Sequence, residues 1–459
     1  MPYAIDLFCG AGGMSEGLLQ AGFHILFSSD ISEDVEKTYT HRHEQLGLYQ
    51  GENTYFQRAD ISSLSGEQIF NAIQDLKIFT GKHIPEIDAI FGGPPCQGFS
   101  LAGRRAKNDP RNMLFREYVR IIKEIRPKYV VMENVTGFLY TKLDGFVGVT
   151  DTNYPEGSLV THILEEELTR IGYVVLPVQV LDASEFGVPQ RRRRAIFMAY
   201  RADQAPISYP SPSSGNTVTV EEAISDLIIS GVKHTDLSAY QLNSLNGRTP
   251  RVLKADSSGI IFGEPLAHVG PPSNHEVSRH SKVVTQRFSL YREGENTVAL
   301  TQRLMGQGVT DVLFNYPDLL MECFEAQNDY HSISALATAI EEASADISIV
   351  KLFISKKGNR YRYDRSLPAT TVLTLPDDFI VPFENRIPTV RELARLQSFD
   401  DSLFFKGKRT TGGPRRKIEV PQYTQVGNAV PPLLAKAVAK QVLEALNAEK
   451  KGNASVTLS

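Results

Sequence analysis

The chain has 459 residues, enough for two or three domains with a sizeable core. Its 41% hydrophobic and 22% charged residues fit a folded globular protein and exclude a disordered or collagen-like one. The net charge of −4 argues mildly against a nucleic-acid partner, but phosphates are met by local patches, and three basic runs stand out: 103–107, 190–194 and 406–417.

In chain order, YAIDLF (3–8) reads as a strand and GGMSEGLLQAG (12–22) as a helix. ILFSSD (25–30) is a second strand, and a helix follows near 33–40. IDAIF (87–91), KYVVM (128–132), YVVLPVQV (173–180) and AIFMAY (195–200) read as further strands. NMLFREYVRIIKEI (112–125) sets Leu114, Tyr118, Ile121, Ile122 and Ile125 along one helical stripe. Strand–helix alternation of this kind implies βαβ units and a mostly parallel sheet covered on both faces. TVEEAISDL (219–227) reads as a helix capped by Thr219 and Glu222. From about 229 to 385 the pattern is irregular and looks like a separate domain. Helical patterns return at TVRELARLQSF (389–399) and PLLAKAVAKQVLEALN (432–447). The expected division is therefore 1–228, 229–385, a connecting region 386–424, a segment 425–447 that packs back on the first domain, and a disordered tail 448–459.

The glycine turn DLFCGAGGMSEGL (6–18) joins a strand to a helix, so backbone amides can approach a ligand there. Its spacing is not the dinucleotide fingerprint, since Ser15 stands where the third glycine belongs. Asp30 ends the second strand, where a carboxylate can hold ribose hydroxyls, and Asp60 follows a third strand. Together they favour an adenosine-bearing cofactor over a bare structural turn.

The thiols Cys9, Cys96 and Cys323 are too scattered for a disulfide framework and lack CxxC spacing, so a reducing cytoplasm and no metal are expected. The amino terminus lacks a signal-peptide pattern, and no run of about 18 apolar residues suggests a membrane span. Cys96, in FGGPPCQGFS, follows two prolines at the mouth of a strand–helix turn, where active sites gather. Glu133 ends the next strand in MENV, and VPQRRRRAIF brings arginines just before a later strand. A thiol beside arginines ionises more easily and becomes a nucleophile.

These segments resemble those of the cytosine-5 DNA methyltransferase family, of the restriction–modification type. DLFCGAGGMSEGL resembles its first cofactor motif, GGPPCQGFS its nucleophile loop and ENV its glutamate motif. QRRRRAIF resembles its Q-x-R-x-R motif, RELARLQSF a late helix and QVGNAVPP (425–432) its last motif. The resemblance implies a Rossmann-like S-adenosylmethionine-dependent methyltransferase fold with a second, irregular target-recognition domain. It implies transfer of a methyl group to carbon 5 of cytosine in a specific double-stranded DNA sequence, with base flipping. By resemblance Cys96 is the nucleophile, Glu133 meets the cytosine ring, and Arg194 meets its oxygen with Arg192 beside it. Cofactor contacts carry over to Phe8, Gly10, Ala11, Gly12, Gly13, Asp30, Ile31, Asp60, Pro95, Leu114 and Asn428. Ile31 departs from the family's usual aromatic residue, so one stacking face for adenine is missing.

Segment 99–112 reads as a lid over the flipped base. The runs 283–303 and 354–366 supply Arg, Lys, Asn, Gln and Thr groups with interleaved aromatics, a composition that suits DNA contact without singling out side chains, and a docking helix and a surface hairpin would have the same letters. A monomer, paired in function with a restriction endonuclease, is expected. Two other readings remain. The tRNA-methylating branch carries Cys-Phe-Thr, against Cys323-Phe324-Glu325 here. A catalytically inactive DNA-binding regulator would need a broken nucleophile or glutamate.

Overall fold

The structure is a computed structural model and describes residues 2–95, 113–213, 215, 217–230, 236–354, 358–411, 415 and 418–456. Cys96, the segment 99–112 and the basic run 103–107 lie outside the described residues.

The first half builds β1 (Tyr3–Leu7), α1 (Gly13–Ala21), β2 (His24–Asp30), α2 (Glu33–Gln45), β3 (Tyr55–Arg58), α3 (Gly66–Gln74), β4 (Ala89–Gly92), α4 (Leu114–Ile125) and β5 (Tyr129–Val135). Two small ribbons follow, β6 (Lys142–Leu143) with β9 (Ser158–Leu159) and β7 (Phe146–Val147) with β8 (Asn153–Tyr154). Then come α5 (Val160–Arg170), β10 (Tyr173–Val175), β11 (Gln179–Asp182) and β12 (Arg193–Arg201). The run 173–180, expected as one strand, is thus two short strands, both antiparallel to β12. The eight-stranded sheet has the order β10-β12-β5-β4-β1-β2-β3, with β11 also on β12. Strands β1 to β5 run parallel and β12 runs against them. The order reverses between β1 and β4, and in such sheets ligands bind at the carboxyl ends of the strands flanking that point.

Each sheet face has its own core. On one side α4 buries Phe115, Tyr118, Val119, Ile121, Ile122 and Ile125 against β1, β4 and β5. Burial of each such side chain is worth about 1.5–3 kcal/mol. On the other, α1 packs with Leu434, Val438 and Val442 of the last helix, α16 (Pro432–Val456). Glycines set this contact: a Cβ at Gly17 would lie 2.5 Å from the Ala435 Cβ and 2.7 Å from the Pro432 carbonyl oxygen. Helix α16 runs to Val456, so the disordered tail expected at 448–459 is instead largely helix. Ala448, Glu449, Lys450 and Lys451 are good helix formers, which explains the extension.

A third core joins α6 (Val220–Ile224), α14 (Val390–Leu396) and α15 (Gln422–Asn428). The expected capping box of α6 is present, with Thr219 and Glu222 bonded reciprocally. Helix α7 (Ala239–Asn246) joins this core through Tyr240, and the hairpin of β13 (Pro250–Asp256) and β14 (Gly259–Pro265) packs on the α1 side of the sheet through Val252 and Ile260. Residues 239–266 therefore belong with the first domain, although the expected boundary fell at 229.

The region expected to be irregular is a helical lobe: α8 (Lys282–Ser289), α9 (Thr297–Gly306), α10 (Val312–Asn315), α11 (Pro317–Glu325), α12 (Ile333–Glu341) and α13 (Ile347–Phe353) around Leu300, Leu320, Leu336 and Phe353. Short strands β15 (Tyr361–Arg362) and β16 (Phe379–Ile380) close it. The stretch 297–360 within it leaves and returns at one place, since Thr297 N donates to the Arg360 carbonyl at 3.0 Å and Asn296 bridges Tyr361.

Two predictions follow from burial. Gly17→Ala should lower the unfolding free energy by about 1–3 kcal/mol despite alanine's better helix propensity, because the added methyl meets backbone; urea titration measures it. The second concerns pH. Burial pushes Asp6 up to about 7 from 3.8, against the pull of the Ser15 hydroxyl bonded to it and with the help of Asp30's charge. Burial pushes His24 down to about 4 and His43 to about 3 from 6.5. Protons bound by unfolded histidines cost stability as pH falls below 6.5, whereas the folded Asp6 carboxyl holds a proton that the unfolded one loses above 3.8, so its contribution falls as pH rises toward 7. Asp6→Asn removes only the second trend. Its unfolding free energy relative to the parent should rise by about 1.4 kcal/mol per pH unit between about pH 4.5 and 6.5. A flat difference would place Asp6 outside the titrating set.

Candidate active site

The carboxyl ends of β1, β2 and β3 form one wall. After Leu7 the chain turns sharply: Phe8 has φ 58°, Gly10 52° and Gly12 90°. Positive φ at Phe8 is strained for a residue with a Cβ, whereas the glycines adopt it freely. Cys9 N donates to the Ser29 carbonyl at 3.1 Å and Gly12 N to the Cys9 carbonyl at 3.0 Å. Gly10 N donates to Asp30 Oδ2 at 3.1 Å and Ser32 N to Asp30 Oδ1 at 2.9 Å. The Asp30 carboxylate is raised above its usual range by burial, and these amide bonds pull it back. Ala59 N donates to the Asp30 carbonyl at 3.1 Å, which sets Asp60 one residue past Asp30's end of the sheet. Asp60 is exposed and its carboxylate caps the next turn, accepting from Ser62 N and Oγ.

The turn is shaped to receive a group. A Cβ at Gly10 would meet nothing within 4 Å, so open space lies over it. Gly12 caps α1 without a side-chain bond, so the first amides of α1 are not claimed by a side chain at the cap. Ile31, 67% exposed, stands beside Asp30 as an uncovered apolar surface. Ala11 is buried in the third core. Phe8 and Leu114 are half-buried against the α4 side of the sheet, and Pro95 is exposed. A Cβ at Gly13 would lie 2.1 Å from the Val430 carbonyl oxygen and 3.2 Å from the Ala429 Cβ. This brings exposed Asn428, at the end of α15, to the same turn.

The second wall is β4, β5 and β12. Glu133 pairs in register with Ile196, and Arg194 with Val135, so Glu133 and Arg194 are diagonal neighbours on one face. Arg194 Nε lies 2.7 Å from Glu133 Oε1. Oε2 makes no hydrogen bond among the described residues and would lie 3.4 Å from a Cβ at Gly93. Asn134 Nδ2 donates to the Pro94 carbonyl at 3.1 Å. The turn that leads to Cys96 is thus fastened to the strand that carries Glu133.

Arg192 does not stand beside Arg194 at this face, contrary to expectation. It is 2% exposed, and its Nη1 and Nη2 donate to the carbonyls of Val372 and Gly427 at 3.1 and 2.9 Å. It ties β12 to the residue before Asn428. Gln190, not assigned a role from sequence, is fully buried beside it. It donates to the Leu396 carbonyl at 3.1 Å and Gln397 Oε1 at 2.9 Å and accepts from Val372 N at 2.7 Å. Its only signal in the sequence was its place in QRRRR. Arg191 and Arg193 are exposed.

Several arginines of the runs 283–303 and 354–366 are engaged within the protein. Arg303 binds Glu295 at 2.7 Å, Arg287 binds Glu322 at 2.6 Å, and Arg365 binds Glu293 at 2.6 Å. Arg362 is buried and donates to the Phe288 carbonyl at 2.7 Å. Arg360 stacks over Phe288 with 4.7 Å to the ring centroid. Cys323 is buried in the lobe core, and burial raises its thiol to about 12.

The chain from residue 3 to 444 matches the family model for C-5 cytosine-specific DNA methylases. It is 32% identical over 462 residues to the Type II methyltransferase M.DdeI of Desulfomicrobium norvegicum, covering 98% of this chain and 92% of that protein. It is 30% identical to the Type II methyltransferase M.AgeI of Thalassovita gelatinovora, covering 96% and 99%. The fold is similar to the crystal structure of a putative DNA modification methyltransferase encoded within an Escherichia coli prophage, with TM-score 0.62, 22% identity and coverage of 97% and 100%. With a family match from residue 3 to 444 and relatives at 30% identity or more over nearly the whole length, the chain belongs to the C-5 cytosine-specific DNA methylase family.

Proposed function

We propose that this DNA cytosine-5 methyltransferase uses S-adenosylmethionine and works by covalent addition of Cys96 to carbon 6 of a cytosine flipped out of duplex DNA. The observation that supports it best is the Glu133–Arg194 pair, set at the end of β5 with the Gly93–Pro94 turn fastened beside it. Asp30 would hold the ribose hydroxyls of the cofactor, Asp60 its adenine amino group, and Phe8, Ile31, Pro95 and Leu114 its apolar faces. Asn428 and the amides from Gly10 to Gly13 would hold its polar end. When bound, S-adenosylmethionine supplies an electrophilic methyl group.

The protein's own part is to make carbon 5 nucleophilic. The Cys96 thiolate forms a bond to carbon 6, and the displaced electron pair moves toward carbon 5 and the ring. Glu133 meets ring nitrogen 3 and the exocyclic amine, and steadies the charge that develops as sulfur adds. Arg194 holds Glu133 Oε1 and stands near the ring oxygen. With the methyl on carbon 5 and S-adenosylhomocysteine as the product of its transfer, the carbon 5 proton passes to water, the carbon–sulfur bond breaks to return the Cys96 thiolate, and the aromatic ring is restored. Arg192 acts at one remove, by fixing Gly427 and with it Asn428.

Target recognition is assigned to the helical lobe and the strands that close it. The protein acts as a monomer, since one flipped base needs one active site. The Type II relatives support a role in protecting DNA from a partner restriction endonuclease. No described helix is long and apolar enough to cross a membrane.

Base-resolution mapping of 5-methylcytosine on unmethylated duplex DNA, after incubation with S-adenosylmethionine, tests the whole reading. One short motif methylated at one cytosine is expected; methylation of tRNA in preference to duplex DNA would overturn it. Cys96→Ala should abolish transfer and leave S-adenosylhomocysteine affinity unchanged, and full activity in that variant would sink the covalent route. Glu133→Gln should lower kcat by about 10²–10⁴-fold with little change in cofactor KM, as read from steady-state kinetics.

A further inference from the structure

Helix α1 starts directly from the glycine turn, so the amides of the turn go where α1 goes. The contact with α16 is made through Gly17, and that with residues 429–430 just before α16 through Gly13. Such packing fixes how close two helices lie, but dispersion and burial are not directional and leave sliding along the axis cheap. Hydrogen bonds are directional and can set the axial position.

Ser15 supplies one anchor of α1, to Asp6 of β1 and Tyr39 of α2; the charged anchor comes from Glu16, one turn into α1 and 2% exposed. Arg42 Nε donates to Glu16 Oε1 at 2.7 Å and Nη2 to Oε2 at 3.0 Å. The Thr249 hydroxyl donates to Oε2 as well. Gln20, a turn further along, donates from Nε2 to the same Thr249 oxygen at 3.0 Å. Two side chains of α1 thus converge on one hydroxyl at the start of β13.

That hydroxyl is itself held. Asp400 accepts the amides of Arg248 and Thr249 at 2.7 and 2.9 Å and Arg248 Nη1 at 3.1 Å. It also lies 3.7 Å from Arg42 Nη2, and Arg42 Nη1 donates to Ser402 Oγ at 3.1 Å. Glu16, Arg42, Arg248 and Asp400 form a charge-balanced buried set drawn from four distant parts of the chain. A buried charge set of this kind costs desolvation and is a poor source of stability, whereas its geometry is well suited to registering one element against another. None of the four is a cofactor-contact position in the family resemblance.

We propose that Glu16, held by Arg42 and Thr249, is a positioning residue for the cofactor turn. It sets the axial position of α1 and so the aim of the amides from Gly10 to Gly13. This rests on the reading of that turn as the S-adenosylmethionine cradle.

The test compares full-length Glu16→Gln, Thr249→Val and Asp226→Asn with the parent. Thr249→Val keeps the shape and leaves no unpaired charge, so it decides the matter if Glu16→Gln fails to fold. Asp226→Asn weakens a part-buried pair with Arg395, 2.8 Å apart, that makes no contact with Glu16, Arg42 or Thr249, and serves as the control for lost stability alone. Affinity for S-adenosylhomocysteine is read by calorimetry, and kcat and KM by methylation of duplex DNA. Glu16→Gln should weaken Kd and cofactor KM by about tenfold and Thr249→Val by about threefold, with kcat within about twofold. Asp226→Asn should lower the melting temperature and leave Kd within about twofold. A folded Thr249→Val with the parent's Kd overturns the inference, as does equal weakening in Asp226→Asn. Failure of the parent itself to bind S-adenosylhomocysteine would instead overturn the cofactor reading on which the inference rests.

Discussion

The closest packing around the site is between backbone and backbone, and two glycines permit it. With Gly13 and Gly17 in α1, residues 429–436 lie where a side chain would otherwise stand. A segment more than 400 residues away in sequence thereby becomes the roof of the first turn. The same approach joins the α1 face of the sheet to the core of α6, α14 and α15, because residues 426–435 contribute to both. A single Cβ at either glycine would separate these layers. The site therefore depends on the absence of two side chains as much as on the presence of any.

Around that contact the structure uses arginine as a tie. A guanidinium has five donors in a plane and can gather carbonyls from separate segments. Arg192 joins residues 372 and 427. Arg391, fully buried, joins Ser273, Asp400 and Leu403 through their carbonyls. Arg395 lies between Asp226 and Asp401. Burial outweighs nearby acids for Arg391 and Arg362 and pushes each down to about 10, whereas Asp401 and Asp226 reverse the direction for Arg395. These groups have carbonyl or carboxylate partners from several elements, and removing any one would leave buried polar atoms unpaired.

This use of arginine explains what was and was not legible in the sequence. Strands β1, β2, β4, β5 and β12 stood out because strands buried on both faces of a sheet are short apolar runs, and glycine and proline near their ends mark the turns. Asp30, Glu133 and Arg194 could be placed because each sits at a strand end. For Arg192 the Q-x-R-x-R spacing marked the residue but not its partners, since the carbonyls of residues 372 and 427 that it holds come from distant segments. In the lobe, too, composition does not separate roles: Arg287 and Arg303 stand in runs that suit DNA contact, and each is paired within the protein, with Glu322 and Glu295. The lobe helices escaped notice because they are four to ten residues long, and their stabilisation comes from tertiary packing and caps such as Asn296, Ser332 and Asp346 rather than a long periodic stripe.

The meeting of Thr297 with Arg360 has a consequence for how such a protein changes over generations. Everything between them leaves and re-enters the frame at one point. Loop-closure cost grows slowly with length, by about 0.6 kcal/mol per doubling, so the frame is almost indifferent to how much chain is hung there. What must be matched is the surface it packs on, which includes Phe288, Tyr291 and Ile380 and the side chains of Gln286, Arg287 and Glu295. Insertions, deletions or a segment inherited from another gene can therefore reshape this lobe while the sheet, the glycine turn and the Glu133–Arg194 pair stay as they are.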